Sequence, residues 1–118
     1  MTRDETKYLE LFLHLEAYCN QRFQCQSGVR TYISALENNA WNVQQHVPSW
    51  KDTFYLLKHL NWVRNQITHP NDGYNTDIDE DIDNLQSFLR DVDNQDDPIS
   101  KACRIEEEAR KKAEEAQR

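Results

Sequence analysis

Two side chains with complementary chemistry stand five positions apart, just before a proline. Arg64 and His69 belong to the segment RNQITHP, residues 64–70. An arginine holds a phosphate with two hydrogen bonds and stabilises charge that develops on it, and a histidine exchanges protons near neutral pH. In RNA the 2′-hydroxyl beside each phosphate is itself the nucleophile. We therefore predict Arg64 and His69 as catalytic residues for metal-independent phosphodiester cleavage, with Asn65 orienting them or the phosphate, and no cofactor.

The element that positions this pair is a helix with an apolar stripe. Leu56, Leu57, Leu60, Val63 and Ile67 recur at helical spacing. At 100° per residue, Arg64 lies about 40° from Leu60 and so falls within that stripe. A buried arginine is costly unless it is paired, so we expect an anionic partner, a groove or an interface around Arg64. Pro70 disfavours a helical His69, and the chain can then fold back toward Arg64.

The apolar periodicity predicts four amphipathic helices and no strands. Their expected ranges are 5–24, 29–46, 49–68 and 77–94, the third beginning with a capping box from Ser49 to Asp52. Pro98 favours the start of a further helix, which carries a thin stripe of small residues and pairs of opposite charge four residues apart. The predicted fold is an all-α, antiparallel four-helix bundle over 1–96. Residues 97–118 would form an additional charged helix, either an extension or a linker.

The charge is unevenly distributed along the chain. The formal net charge is −7 over 118 residues, yet residues 71–97 hold ten acids against one base, and the segments on either side are close to neutral. Such a chain lacks the broad basic footprint of a protein that binds nucleic acid by charge alone. A local RNA contact in the first 70 residues stays open.

The segment from Leu60 to Pro70 resembles the signature of HEPN domains (higher eukaryotes and prokaryotes nucleotide-binding), which is an arginine, a polar residue that is often asparagine, a few further positions and a histidine. The resemblance implies a helical bundle that forms a homodimer, in which two Arg–His pairs meet in one cleft. It also implies an endoribonuclease that leaves a cyclic phosphate. Toxin–antitoxin, phage-defence and CRISPR-associated systems are the usual settings, with an antitoxin as a further partner.

Other clusters give weaker indications. The acidic run at 77–83 lacks the glycine and glutamate of a calcium loop, because those positions hold Ile82 and Phe88. We interpret these acids as first-turn residues that the helix dipole favours. The histidines show no zinc-ligand spacing, and Trp41, Trp50 and Trp62 suit a core or an interface better than base stacking.

The cysteine content and hydropathy indicate a compartment. Cys19, Cys25 and Cys103 form no paired framework, and no apolar run of membrane-spanning length occurs. We expect reduced thiols, a cytoplasmic location and no membrane contact. Two other functions stay open. One is a non-catalytic HEPN-like dimerisation or interaction module, and the other is an adaptor fragment that binds a protein through its charged last helix.

Overall fold

The described residues of the chain fold into α-helices. The computed structural model describes residues 2–38, 45–69 and 78–117. Within those ranges there are no strands, and the helices are α1 (Arg3–Phe23), α2 (Gly28–Glu37), α3 (Trp50–Thr68), α4 (Ile78–Asp93) and α5 (Pro98–Ala116). The predicted all-α bundle with an additional C-terminal helix is confirmed.

Local capping chemistry explains where two of the helices begin. Thr2 and Glu5 form a reciprocal capping box at the start of α1, in which each side chain accepts a hydrogen bond from the other residue's backbone N–H. The same contact lowers the pKa of the Glu5 carboxyl. At α5, the Asp97 side chain accepts from the Ser100 N–H, and Pro98 occupies the first turn.

One apolar core joins the helices. It takes a stripe from each of them, namely Tyr8, Phe12, Leu15 and Cys19; Val29, Tyr32 and Leu36; Leu57, Leu60, Val63 and Ile67; Ile82, Leu85, Phe88 and Val92; and Ile99 and Ala102. The Tyr8 hydroxyl is buried and donates to the Leu60 carbonyl oxygen at 2.5 Å. The burial of these stripes is the main driving force for the fold.

Helix α2 packs between α1 and α3 and runs antiparallel to both. Its start lies against the end of α1, where the Gly28 N–H donates to Asn20 Oδ1 at 2.7 Å. Its end lies against the start of α3, where the Trp50 indole N–H donates to the Leu36 carbonyl oxygen at 3.0 Å. The line of contact between α2 and α3, called the seam below, therefore runs along the length of α3.

One predicted helix boundary and one predicted side-chain cap are wrong. Helix α2 ends at Glu37 and not at residue 46, because Asn38 leaves helical geometry and Gln45 and His46 lie in a short 3₁₀ turn. The inward positions predicted for Ala40 and Val43 lie outside the described residues. Ser49 makes no side-chain cap, since its backbone is not in the extended conformation of a capping residue; the Trp50 N–H bonds to the Val47 carbonyl instead.

Helix α5 is anchored at one end only. Its first turn is buried through Pro98, Ile99, Ser100 and Ala102, whereas every described residue after Glu106 is exposed. The molecule is correspondingly elongated, measuring 62 × 24 × 21 Å. The domain boundary predicted between residues 96 and 97 thus falls next to residues that belong to the core.

None of the described helices is both long and apolar enough to cross a membrane.

Candidate functional site

Arg64 reaches the surface from within the apolar stripe of α3. Its side chain is exposed, and its Cζ lies 5.7 Å from the centroid of the buried Phe12 ring. The aliphatic stem therefore covers apolar surface while the guanidinium stays in contact with water. Across the described residues no carboxylate lies within ion-pair distance of Arg64. Of the expected surroundings of Arg64, the described residues provide a groove.

That groove begins as a polar pocket of about 250 Å³ where α1, α2 and α3 meet. Its lining combines two arginines with amide and hydroxyl groups and one carboxylate, from Glu16, Gln26, Ser27, Arg30, Asn61, Arg64 and Asn65. Arg30 and Arg64 come from different helices, so the pocket presents two positive groups to whatever enters it. Such a lining suits an anion of phosphate size.

The start of α2 gives this pocket a further positive contribution. Gly28 permits close contact with α1, since a Cβ there would lie 2.4 Å from the Asn20 nitrogen. The Val29 N–H donates to Glu16 Oε1 at 3.3 Å. The only carboxylate of the pocket lining is thus engaged by the positive end of the α2 dipole. The lining thus carries two guanidinium charges against one carboxylate charge.

The positive lining continues along the seam. An adjoining pocket of about 230 Å³ shares Arg30 and Asn61 and adds Lys58 from α3. We define Arg30, Lys58, Asn61, Arg64 and Asn65 as the basic groove. Sequence reasoning missed Arg30 and Lys58 as site residues. The signal was available, since both fall on helix positions away from the apolar stripes, but only the packing of α2 on α3 brings them together.

The Asn65 side chain contacts the guanidinium of Arg64. Its Oδ1 accepts a hydrogen bond from Arg64 Nη1 at 3.1 Å. The Thr68 hydroxyl donates to the Arg64 carbonyl oxygen at 3.0 Å. These contacts orient the guanidinium and close the last turn of α3, which ends at Thr68.

His69 follows as the C-cap residue, and it does not join Arg64 within one chain. Its backbone N–H bonds to the Asn65 carbonyl at 2.8 Å, but its φ of −128° and ψ of 74° leave helical geometry, as expected for a residue before proline. Its side chain is exposed, and in the described part of the chain the ring makes no hydrogen bond. It does not line the polar pocket. A return of the His69 side chain to Arg64 is not seen in the described part of the chain, and the catalytic pairing of the two side chains stays a prediction.

A second histidine pairs with a carboxylate. His59 Nε2 lies 2.8 Å from Oδ1 of the buried Asp81, and its ring stacks on Trp62 at 5.9 Å between centroids. The sequence interpretation treated Asp81 as one of several dipole-favoured acids. Its spacing from Ile78 and Leu85 was the missed signal, since it puts Asp81 on the inward face of α4.

A buried carboxylate was also missed at the start of α5. Asp97 is fully buried, and its Oδ2 accepts from the Tyr32 hydroxyl at 2.5 Å and from the Ser100 N–H at 3.3 Å. Burial, followed by the Asp97 charge, raises the pKa of Tyr32 far above its usual range. This cluster ties α5 to α2 and lies away from the basic groove. Its role is structural.

The other titratable clusters are sparse. In the described ranges no three His, Cys, Asp or Glu side chains are grouped to hold a metal ion. Cys19 is buried, Cys25 half-buried and Cys103 exposed, and all three are free thiols. Desolvation, with a smaller contribution from Glu16, raises the pKa of Cys19 to about 12.

The fold and site define a helical-bundle protein with a basic groove beside α3. A family model described as "Family of unknown function (DUF6548)" matches residues 6–118, and the chain belongs to that family. A search of the curated proteins and a search of the solved structures each gave no significant match.

Proposed function

We propose that this protein is a HEPN-like, metal-independent endoribonuclease that acts as a homodimer. The observation that carries the proposal is the polar pocket in which Arg64 and Arg30 converge beside Asn65. Two guanidinium groups beside amide side chains suit a phosphodiester of RNA. The Arg64–His69 spacing, and its resemblance to the HEPN signature, then extend the role from binding to cleavage.

The proposed reaction is an internal transfer of the phosphodiester. A histidine takes the proton of the 2′-hydroxyl, and the 2′-oxygen attacks the adjacent phosphorus. The bond from phosphorus to the 5′-oxygen breaks, and that oxygen takes up a proton. The products are a 2′,3′-cyclic phosphate and a 5′-hydroxyl. Arg64 holds the phosphate and stabilises the charge that develops on its oxygens, while Asn65 fixes the guanidinium.

The proposed homodimer would bring a histidine of one protomer to the arginine of the other. Arg64 faces the groove, whereas His69 continues toward solvent at the end of the same helix. A two-fold axis near the ends of α3 would bring the partner subunit's His69 to the polar pocket. Each cleft would then combine Arg64 of one protomer with a histidine of the other.

The resemblance also gives the biological setting of the proposal. The protein would act in the cytoplasm as a toxin or a phage-defence component, with RNA as substrate and an antitoxin as a protein partner. The acidic stretch from 71 to 97 would repel RNA from other faces and leave the basic groove as the contact surface.

A second function is favoured by the position of His69. The exposed ring of His69 makes no hydrogen bond in the described part of the chain. The polar pocket around Arg64 would then belong to a non-catalytic HEPN-like dimerisation or interaction module. In that case Arg64 and Arg30 would bind phosphate without cleavage. The two functions differ in one measurable property, which is the appearance of cyclic-phosphate ends.

Labelled RNA incubated with the purified protein and excess chelator tests the proposal. Cleavage should survive chelation and leave 2′,3′-cyclic phosphate ends. His69→Ala should lower the rate by about 10²–10⁴-fold, and Arg64→Ala by about 10²–10³-fold.

Two matched variants control for nonspecific effects. His14→Ala changes an exposed histidine of α1, and Arg90→Ala an exposed arginine of α4; both should cleave at the wild-type rate. Binding of RNA without cleavage, unaffected by His69→Ala, would favour the non-catalytic module. Absence of both binding and cleavage across varied RNAs would reject the endoribonuclease and, for the module, would reject RNA as its ligand.

A further inference from the structure

The seam between α2 and α3 has an aromatic end beyond the basic groove. There, a cleft of about 510 Å³ lies between the end of α2 and the start of α3. Trp50, Phe54 and Tyr55 provide its aromatic wall, with Leu36, Val47 and Pro48 opposite; Lys51, Glu37 and Gln45 lie around it. Its wall is therefore mainly apolar, in contrast to the polar pocket around Arg64.

Tyr55 is an unusual surface residue in this cleft. It is 57 % exposed, while the neighbouring Phe54 is half-buried and packs against the core. The two rings meet edge to face with centroids 5.3 Å apart. Phe54 thus fixes one side of the Tyr55 ring, which leaves ring surface available for stacking on a planar ligand.

Two lysines lie beside the aromatic wall of the cleft. Lys58 Nζ lies 5.2 Å from the centroid of the Phe54 ring, and Lys58 also lines the basic groove. Lys51 is an exposed residue of the aromatic cleft. Aromatic rings flanked by cations are the combination that binds single-stranded nucleic acid, where bases stack and phosphates pair.

The two ends of the seam are a few nucleotides apart. Tyr55 and Arg64 are nine residues apart on α3, so their side chains flank the seam from opposite sides of the helix, about 180° apart, and are separated by about 13.5 Å along the helix axis. A strand that rises by about 3.4 Å per stacked nucleotide covers that distance in about four nucleotides. Lys58 lies between the two ends, so phosphates along that path would meet a positive charge midway.

We propose that the aromatic cleft is a base-stacking subsite for the same single RNA strand whose phosphate binds at Arg30 and Arg64. Tyr55 is the residue on which the base stacks, and Lys58 neutralises a phosphate between the two ends. Continuity with the basic groove favours RNA over a protein segment as the occupant. This inference rests on the proposed RNA binding and adds to it a second contact that does not touch the reacting phosphate.

The test measures binding of a labelled eight-nucleotide RNA in a His69→Ala background, so that the strand is not cut. Tyr55→Ala should weaken binding by roughly 5- to 100-fold, the range for losing one stacked base. Tyr55→Phe keeps the ring and should bind like the parent. Leu13→Ala removes another exposed apolar side chain, on α1, and should also leave binding unchanged. Circular dichroism confirms that each variant is folded.

A second arm uses RNA in which one nucleotide at a time lacks its base. One abasic position should weaken binding to the parent by the same factor as Tyr55→Ala, and should not weaken binding to Tyr55→Ala further. If the parent binds RNA and Tyr55→Ala binds equally well, the subsite is rejected while RNA binding stands. If Tyr55→Ala lowers self-association instead, the cleft is a protein interface and the inference is wrong. No binding by the parent would reject the proposed function itself.

Discussion

Arg30 of α2 and Arg64 of α3 line the same pocket. Their contacts differ, so their roles can be distinguished by experiment. Arg64 is oriented by Asn65 and crosses the Phe12 ring, whereas Arg30 extends from the first turns of α2 beside Glu16. The more constrained Arg64 suits a directed contact with the reacting phosphate. Arg30 suits a general electrostatic contact, whose loss should weaken binding equally for all RNA sequences.

Arg30→Ala should therefore reduce both RNA affinity and its dependence on salt. Each phosphate contact in a single-stranded complex contributes about 0.7 to the slope of log K against log salt concentration. The slope should become shallower by that amount when Arg30 is removed. Binding measured at several potassium chloride concentrations tests this, with Arg90→Ala as the control. An unchanged slope would place Arg30 outside the RNA contact.

The buried Cys19 thiol and Tyr32 phenol should make the free energy of unfolding depend on pH in the alkaline range. The pKa of the Cys19 thiol is raised from 9.0 to about 12 by burial, so between those values the unfolded chain releases a proton that the native chain keeps. The free energy of unfolding should therefore fall as pH rises above about 9, with Cys19 contributing up to about 1.4 kcal/mol per pH unit.

Urea unfolding at pH 8, 9 and 10 measures this effect. Cys19→Ala should flatten the pH dependence, and Cys103→Ala, which changes an exposed thiol, should not. Tyr32, whose pKa is also raised from 10.0, should contribute mainly above pH 10. Equal slopes in the parent and Cys19→Ala would mean that Cys19 is exposed enough to ionise in the native state.

At the scale of elements, apolar periodicity and the positions of the prolines predicted the helix ranges well. The boundaries of α3 and α4 agree with the sequence prediction to within a residue, because Pro48 and Pro70 flank one and apolar spacing defines the other. The end of α2 was wrong because an apolar pattern continues past Glu37 although Asn38 leaves helical geometry. Pattern alone does not report where tertiary packing ceases to support a helix.

The candidate site was predictable only in part, for a related reason. Spacing along one helix identified Arg64, Asn65 and the end of α3 at Thr68. It did not reveal Arg30, whose proximity depends on the packing of α2 on α3, nor the direction of His69 relative to Arg64. The pairing of His59 with Asp81 also depends on contact between two helices. Residues that meet across elements lie beyond what local spacing encodes.

Helix α5 should divide into an essential turn and a dispensable remainder. A chain ending after Ile105 keeps every fully buried residue of α5 and should unfold at nearly the same urea concentration as the full chain. A chain ending after Asp96 loses the burial of Ile99 and the Asp97 acceptor of the Tyr32 hydroxyl. Its free energy of unfolding should fall by about 3–5 kcal/mol.

Tyr32→Phe isolates the hydrogen-bond part of that loss. It should lower the free energy of unfolding of the full chain by about 2 kcal/mol, the range for a hydrogen bond to a charged group. Equal stability of the two truncated chains would show that residues 97–105 form an independent extension, as the domain boundary predicted at residue 96 implies.

At the scale of the whole molecule, the proposed chemistry depends on how two copies are arranged. Within one chain the basic groove holds Arg64, and His69 projects from the end of α3 outside it. A site that needs both side chains is then built either by a local rearrangement of the chain after Thr68 or by exchange between protomers. The two arrangements differ in which mutant heterodimers retain an intact site.

Heterodimers assembled from differently tagged chains distinguish these arrangements. If each site takes Arg64 from one protomer and His69 from the other, a dimer of an Arg64→Ala chain with a His69→Ala chain keeps one of its two sites, and should cleave RNA at about half the wild-type rate. A dimer of a wild-type chain with an Arg64→Ala, His69→Ala chain has no intact site and should be inactive.

Sites built within single chains give the reverse pattern, because only the wild-type chain then carries both side chains. The two heterodimers contain the same number of substitutions, so loss of stability does not explain a difference in their rates. Activity confined to the dimer that contains the wild-type chain would reject the shared site. It would place the motion that brings His69 to Arg64 within one protomer.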